Sequence, residues 1–469
     1  MTPSRPVART ALAAAALALL AGCAAPQIDH NVAAARAEVA ARGGPDFAWL
    51  ATDDARRQAR GDVDRALQQP LSADDAVRVA LSHDPALQAL LFDRAAASAD
   101  ATQSARLPNP VFAFERLAGG GAPNSIEVTR ALTVPLLDLL LLPSRAAQAD
   151  DAQRRLRLQL AGDVLRAAGD ARSAWVAAVA AEQSLRYAAQ VDDAADAAGA
   201  LARKLEAAGN FSALQRAREE AFVADAASGL AQARRAQRRA REALVRALGL
   251  DAGEAAALKL PDRLPDLPAT LPPETASQQA ALDARLDLRL ARARLDELAR
   301  AQGLARVTGT VDALDIGVER RSTSGQPREH GVTLSMPLPL FDTGDAARAG
   351  ASARYDAALA RTAALAVAAA SQLREADGDR RDALALALRF RDQLVPRQSA
   401  VVGENLLRYN AMLASAFDLL ADARDQARTV QQAIAAQRDF WLADAAWQAA
   451  SAGVPSSPLL TADLTEATR

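Results

Sequence analysis

Side chains able to do covalent or acid–base chemistry are few and scattered in this 469-residue sequence. The one cysteine, Cys23, can form neither an internal disulfide nor a thiolate cluster. The histidines are His30, His83 and His330, and past the initiator the methionines are Met336 and Met412. None stand at ligand spacing, so no metal site is expected. Gly119-Gly120-Gly121 precedes a strand pattern rather than a helix and no lysine follows it. It therefore reads as a hairpin turn and not as a phosphate loop. His83 stands beside Asp84 and Pro85 near a helix end, where a local structural role outranks catalysis. No nucleophile elbow occurs. The expectation is a protein without catalytic residues or cofactor, and not an enzyme. The dense basic stretch Arg234, Arg235, Arg238, Arg239 and Arg241 lies in a helical pattern, as a solvated face would. With a net charge of −2 there is no overall electrostatic case for nucleic acid.

The position of Cys23 carries more than its chemistry. Arg5 and Arg9 precede the apolar run Ala11 to Leu20, an export-signal pattern too short to span a membrane. The run ends in Leu20-Ala21-Gly22-Cys23, which resembles a bacterial lipobox. That resemblance implies cleavage before Cys23 and a covalent lipid on it. Ala24 follows rather than aspartate, which implies sorting to the outer membrane.

The elements that follow are written twice. Leu132-Thr133-Val134-Pro135-Leu136 matches Leu334-Ser335-Met336-Pro337-Leu338, and the two prolines lie 202 positions apart. Leu81 and Leu87 correspond to Leu282 and Leu288, Glu115 to Glu319, and Gly209, Ser212 and Leu214 to Met412, Ser415 and Phe417. Each copy opens on a helical segment (73–106, then 274–305) and continues into two strands around a turn. Expected strands are 111–117 and 126–134 in the first copy, and about 307–320 and 331–336 in the second. Ile126, Val128, Leu132 and Val134 share one face while Glu127, Thr129 and Thr133 take the other. Such alternation suits a membrane-barrel strand and equally a half-buried soluble hairpin.

Long helical hairpins come next. Ser144 to Ala208 contains no proline, and Ala346 to Val395 is a second such run, with Pro396 placed to kink it. Each returns through a partner, Ser212 to Leu248 and Ser415 to Ala450. Leu420, Ala427, Ile434 and Trp441 recur every seven residues, a coiled-coil seam. Short breaks at Ala208-Gly209-Asn210-Phe211 and Tyr409-Asn410-Ala411 fit tight turns at hairpin tips. Four strands cannot close a barrel that leaves a channel, so several protomers must share one. The expected fold class is mainly α with a small β part. Four strands join a shared transmembrane β-barrel, long α-helical hairpins continue its wall away from the membrane (a periplasmic tunnel, in what the family resemblance given below implies), and the whole is two internal repeats. Expected boundaries are a signal peptide at 1–22, a lipidated tether at 23–70, repeats at 71–250 and 274–450, a proline-rich linker at 251–273 and a tail at 451–469.

At Leu71-Ser72-Ala73-Asp74-Asp75-Ala76-Val77, Asp84-Pro85-Ala86-Leu87, Leu107-Pro108-Asn109-Pro110 and Ser415-Ala416-Phe417-Asp418-Leu419-Leu420, the sequence resembles the TolC family of outer-membrane efflux proteins. The match runs from about residue 71 to 450. The resemblance implies a homotrimer in outer-membrane lipid, extending into the periplasm. It also implies a periplasmic adaptor and an inner-membrane pump as partners. The tip turns, with Gly209, Asn210, Ser212, Tyr409, Asn410, Met412 and Ser415, would dock the adaptor. Met412 stands where the family usually has glycine. Asp392, Glu404 and Asp418 are the acidic residues nearest the second tip, candidates for an aperture against a simpler reading as solvated surface. Leu107–Pro110 leans toward the heavy-metal (CzcC-like) branch. The rival reading is a periplasmic adaptor lipoprotein, but an adaptor has one hairpin between mirrored half-motifs, whereas this unit repeats head to tail. A soluble coiled-coil scaffold leaves the export signal and duplicated strands unexplained.

Overall fold

The computed structural model describes residues 27–119, 126–271, 282–308, 313–338 and 340–454. Cys23 and the expected signal peptide lie outside the described residues, as do most of the first hairpin's turn and Glu274. The described residues form two compact units: those within 1–37, 92–160 and 290–363, and those within 38–91, 161–289 and 364–469. Each unit draws on both sequence copies.

The helices follow from composition and capping. In chain order they are α1 (Gln27–Ala40), α2 (Asp53–Ala66), α3 (Ala73–His83), α4 (Pro85–Ser104), α5 (Leu136–Leu140) and α6 (Leu142–Ala207). Then come α7 (Ala213–Leu248), α8 (Ala252–Ala257), α9 (Leu286–Thr308), α10 (Asp345–Arg389), α11 (Val395–Asn410) and α12 (Ala416–Ala452). Alanine dominates α6, and its one proline, Pro143, sits in the first turn, where a missing N–H costs nothing. Among the described residues, no helix is long and apolar enough to cross a membrane. The helix expected over 73–106 is divided at Asp84-Pro85. The Asp84 carboxylate accepts from the backbone N–H groups of Ala86 (3.0 Å) and Leu87 (3.3 Å), capping α4 as proline ends α3.

The four strands are β1 (Val111–Ala118), β2 (Ile126–Pro135), β3 (Asp315–Thr323) and β4 (Glu329–Ser335), antiparallel in the order β1-β2-β3-β4. The β2–β3 ladder joins the two sequence copies. The strand expected from 307 begins instead at Asp315, because α9 holds Val307 and Thr308 in its last turn. Val307, Gly309 and Val311 alternate like a strand, and that pattern misled the boundary. The last strand starts at Glu329 rather than 331 and ends at Ser335.

Register sorts the sheet into two faces. One carries Phe112, Leu132, Val318, Val332, Ile316 and Leu334, all exposed. The other carries Thr133, Gly317, Thr333, Ala131 and Glu319 and is crowded. A Cβ on Gly317 would meet the Thr333 hydroxyl at 2.5 Å and that of Thr133 at 3.1 Å. The sheet unit's helices meet at a buried polar junction. The Asn31 amide of α1 donates to Ser98 of α4 (3.0 Å) and Gln153 of α6 (2.6 Å), and Arg157 donates to Asn31 (2.7 Å).

In the second unit, the proline-rich segment after α8 is strapped to the helices. Leu264 is buried, Leu267 and Leu271 pack on Leu384, Ala387, Ala436 and Phe440, and the Pro265 carbonyl accepts from Gln437 (2.7 Å) and Trp441 (3.2 Å). Trp175 of α6 donates to the Leu71 carbonyl (2.8 Å), and Leu71 N–H to Lys259 (2.9 Å). Extended chain without a ladder must satisfy its backbone this way when it is covered. In the same unit, Glu38 accepts from Arg289 and Arg42, and the Arg289 guanidinium beside it holds its carboxyl below the ordinary range. The kink expected at Pro396 is a π-helical turn over Phe390–Leu394, in which Val395 N–H donates to Phe390. Proline removes a donor and crowds the carbonyl four residues back, and the wider turn relieves both.

Gly317 generates a test. Gly317→Ala is expected to cost about 1–3 kcal/mol of sheet stability through overpacking, and Thr333→Ala in that background to recover most of it. Denaturant midpoints of the single and double variants check this, and an unchanged single variant would contradict the crowding.

Candidate functional site: an open sheet and two hairpin tips

Two features have the geometry of working surfaces. The first is the sheet. Among the described residues β1 and β4 each have one neighbour, so their outer edges offer unpaired N–H and C=O groups. Every residue of both strands is exposed. On the crowded face Arg321 pairs with Glu127 (2.9 Å) and Glu319 (3.0 Å).

The second is the pair of hairpin tips, in the other unit. At the first, Gly209 takes a left-handed φ of 76°, and Asn210 and Phe211 N–H groups donate to the Leu205 carbonyl (2.8 and 3.2 Å). Ser212 then opens α7 with a capping box, its hydroxyl accepting from Gln215 N–H while Gln215 returns a bond to Ser212 N–H. At the second tip Ala411, Met412 and Leu413 N–H groups donate to Leu407, Tyr409 and Arg408 carbonyls (3.0, 3.0 and 2.7 Å), and Ser415 opens α12 with the same box, completed by Asp418. Gly209 and Met412 stand at the same distance before their capping serines. Met412 is accordingly the only non-glycine residue with positive φ among those described, at 61°. A left-handed L-residue costs about 1–2 kcal/mol. The strain is kept while the Met412 side chain stands 94% exposed, followed by exposed Leu413, with exposed Leu214 at the other tip. Tyr409 and Asn410 close the last turn of α11.

The three candidate aperture acids are not brought together. Asp392 lies in the π turn, and the Arg391 guanidinium at 2.6 Å holds its carboxyl below the ordinary range. Glu404 pairs with Arg408 at 3.2 Å on the exposed side of α11. Asp418 serves the capping box. Arg234, Arg235, Arg238 and Arg239 are solvated as expected, while Arg241 donates to the carbonyls of Ala255 (3.0 Å) and Leu258 (2.8 Å). His83 Nε2 lies 3.2 Å from the Glu254 carboxylate.

A contact near the tips was not foreseen. Glu219 of α7 is fully buried, and its charge partner is Arg424 of α12 at 3.4 Å. The Arg424 guanidinium also lies over Phe222 (5.3 Å) and Phe417 (6.0 Å), clasping one hairpin to the other. In the sequence Glu219 sits inside Arg216-Ala217-Arg218-Glu219-Glu220, which reads as solvated surface. Only the partner helix distinguishes it from Glu220.

No family model and no curated relative matches the sequence. Solved structures do. The outer-membrane channel OprN superposes with a TM-score of 0.69 at 20% identity, over 88% of this chain and 99% of that one. The outer membrane protein VceC of Vibrio cholerae gives 0.66 at 16% identity, over 85% and 96%. This chain has the fold of an outer-membrane channel. The open-state MtrE channel of Neisseria gonorrhoeae agrees, with 0.59 at 21% identity over 81% and 89%. Within this channel fold, the few strands and the long helical hairpins are both accounted for.

The buried Glu219 gives a prediction. Arg424→Ala leaves an uncompensated buried carboxylate and is expected to cost about 3–5 kcal/mol, while replacing both residues by apolar ones of similar volume is far milder. Thermal unfolding of the single and double variants measures this. Equal losses in both would mean the ion pair is not what matters there.

Proposed function

We propose that the chain is one subunit of a TolC-type outer-membrane channel, the exit duct of a tripartite efflux pump, anchored by lipid on Cys23. The observation that carries this is the sheet with both edges open. Inside a membrane every backbone polar group needs a partner, so β1 and β4 must pair with other copies. Three copies would supply a twelve-stranded barrel of the kind the family resemblance implies. By the family resemblance, the helical hairpins extend into the periplasm, where their exposed tips would meet a periplasmic adaptor and through it an inner-membrane pump. The adaptor reading is disfavoured by the sheet, whose central β2–β3 ladder joins two copies of one unit.

The polar face of the sheet would line the lumen. It holds Glu115, Glu127, Asp315, Glu319 and Glu329 against Arg321 alone, so the barrel should favour cations. The cargo remains a small molecule or metal ion. The lean toward metal export rests on Leu107–Pro110, and a duct has no need to bind what it passes.

Planar-bilayer recording of the purified full chain tests the proposal. Discrete conductance steps are expected, with a reversal potential in a KCl gradient on the cation side and a smaller preference in Glu115→Gln/Glu329→Gln. Absence of conductance would remove the channel reading, and anion preference would reverse the lumen assignment.

A further inference from the structure

The strands sort their charges by face with unusual completeness. Every carboxylate of the four strands shares the Gly317 face. The opposite, apolar face carries no carboxylate, and its charged residues are Arg116, Arg130 and Arg320. Arg130, Arg320 and His330 form one rung across β2, β3 and β4, with Phe114 of β1 completing it. Arg116 lies one rung nearer the hairpin turns, opposite Val128.

Arg130 and Arg320 are direct cross-strand partners, and like charges so placed repel. No ion pair among the described residues engages Arg116, Arg130 or Arg320. The Arg130 guanidinium rests 5.8 Å from the Phe114 ring centroid, and all three arginines are exposed. Among the described residues, no carboxylate answers that repulsion. Toward the Pro135 and Ser335 ends the same face is purely apolar, with Leu132, Val318 and Val332 on the next rung and Val134, Ile316 and Leu334 beyond. Val134 and Arg130 are separated by about 13 Å of strand.

We propose that this basic rung binds phosphate groups of anionic lipid headgroups, a reading that rests on the apolar face being the outward face of a membrane barrel. An arginine above a lipid-facing apolar band lays its stem on hydrocarbon and lifts its guanidinium to the interface. There the planar fork matches phosphate oxygens two at a time, and one phosphate between Arg130 and Arg320 turns the cross-strand repulsion into shared attraction. The outer leaflet of an outer membrane supplies phosphorylated glycolipid, so the rung marks the height of that headgroup layer. Arg116, nearer the turns, reaches the same layer from above.

Native mass spectrometry of the detergent-purified full chain tests this with diphosphorylated lipid A and, as the zwitterionic comparison, phosphatidylcholine. Wild type should retain lipid A over phosphatidylcholine by about tenfold or more, given three arginines at the membrane surface. Arg116→Gln/Arg130→Gln/Arg320→Gln should abolish that preference, while the corresponding triple lysine variant keeps most of it. Arg321→Gln, on the opposite face, should leave it unchanged. Undiminished preference in the glutamine variant would overturn the proposal, as would equal loss from Arg321→Gln. Should the triple glutamine variant not fold, Arg320→Gln alone must weaken retention measurably, and wild-type retention from it would overturn the proposal. Single-channel recording of the same preparations separates the two readings. Conductance without lipid preference defeats the rung alone, whereas absence of conductance in wild type defeats the barrel on which it rests.

Discussion

Unsatisfied backbone hydrogen bonds are the constraint on which the rest depends. A sheet of four strands in which β1 and β4 each have a single neighbour leaves two rows of amide and carbonyl groups without partners. In water such edges invite aggregation, and in lipid each open group costs several kcal/mol. A stable resolution is closure, and four strands are too few to close around a passage. The duplicated sequence supplies the means. One hairpin comes from each copy, β2 and β3 stitch the hairpins together, and the outer strands are left with open edges, which on the proposed reading other copies complete.

The same parity that lets strands pair also sorts their side chains. Because the period is two residues, a single register places every carboxylate of the sheet on the face of Thr133 and Thr333, and most of the large apolar residues with three arginines on the other. Gly317 marks where the polar face is most crowded, and that crowding is on the side a closing sheet would turn inward. The hairpins obey a parallel economy. Both tips use one left-handed residue followed by a serine capping box, so the two copies end in one geometry despite Gly209 in one and Met412 in the other.

Long-range periodicity made much of this readable beforehand. The proline-free run after Pro143 and the serines before α7 and α12 placed the long helices within a residue or two. The strands of the first hairpin followed from alternating runs on either side of a glycine-rich turn. Reading failed where two patterns overlapped. Val307 to Val311 alternates like a strand, but helix α9, favoured by the leucine and alanine spacing before it, runs through Thr308. It failed again where a residue's role depends on a partner distant in sequence. Glu219 and Glu220 are neighbours of one type, and only Arg424, over two hundred positions away, buries and answers the first. The proline-rich linker after α8 is bonded to Leu71, Gln437 and Trp441, contacts that local composition cannot reveal. Asp392, Glu404 and Asp418, the acids nearest the second tip, each meet a local partner, as the simpler reading of them as solvated surface has it.

The mass of the assembled protein tests the central claim, that the open sheet is completed by other copies of the chain. Native mass measurement of the full chain extracted in mild detergent should give three copies. A stable monomer with the sheet intact would contradict the account, because its edge strands would then be satisfied without partners.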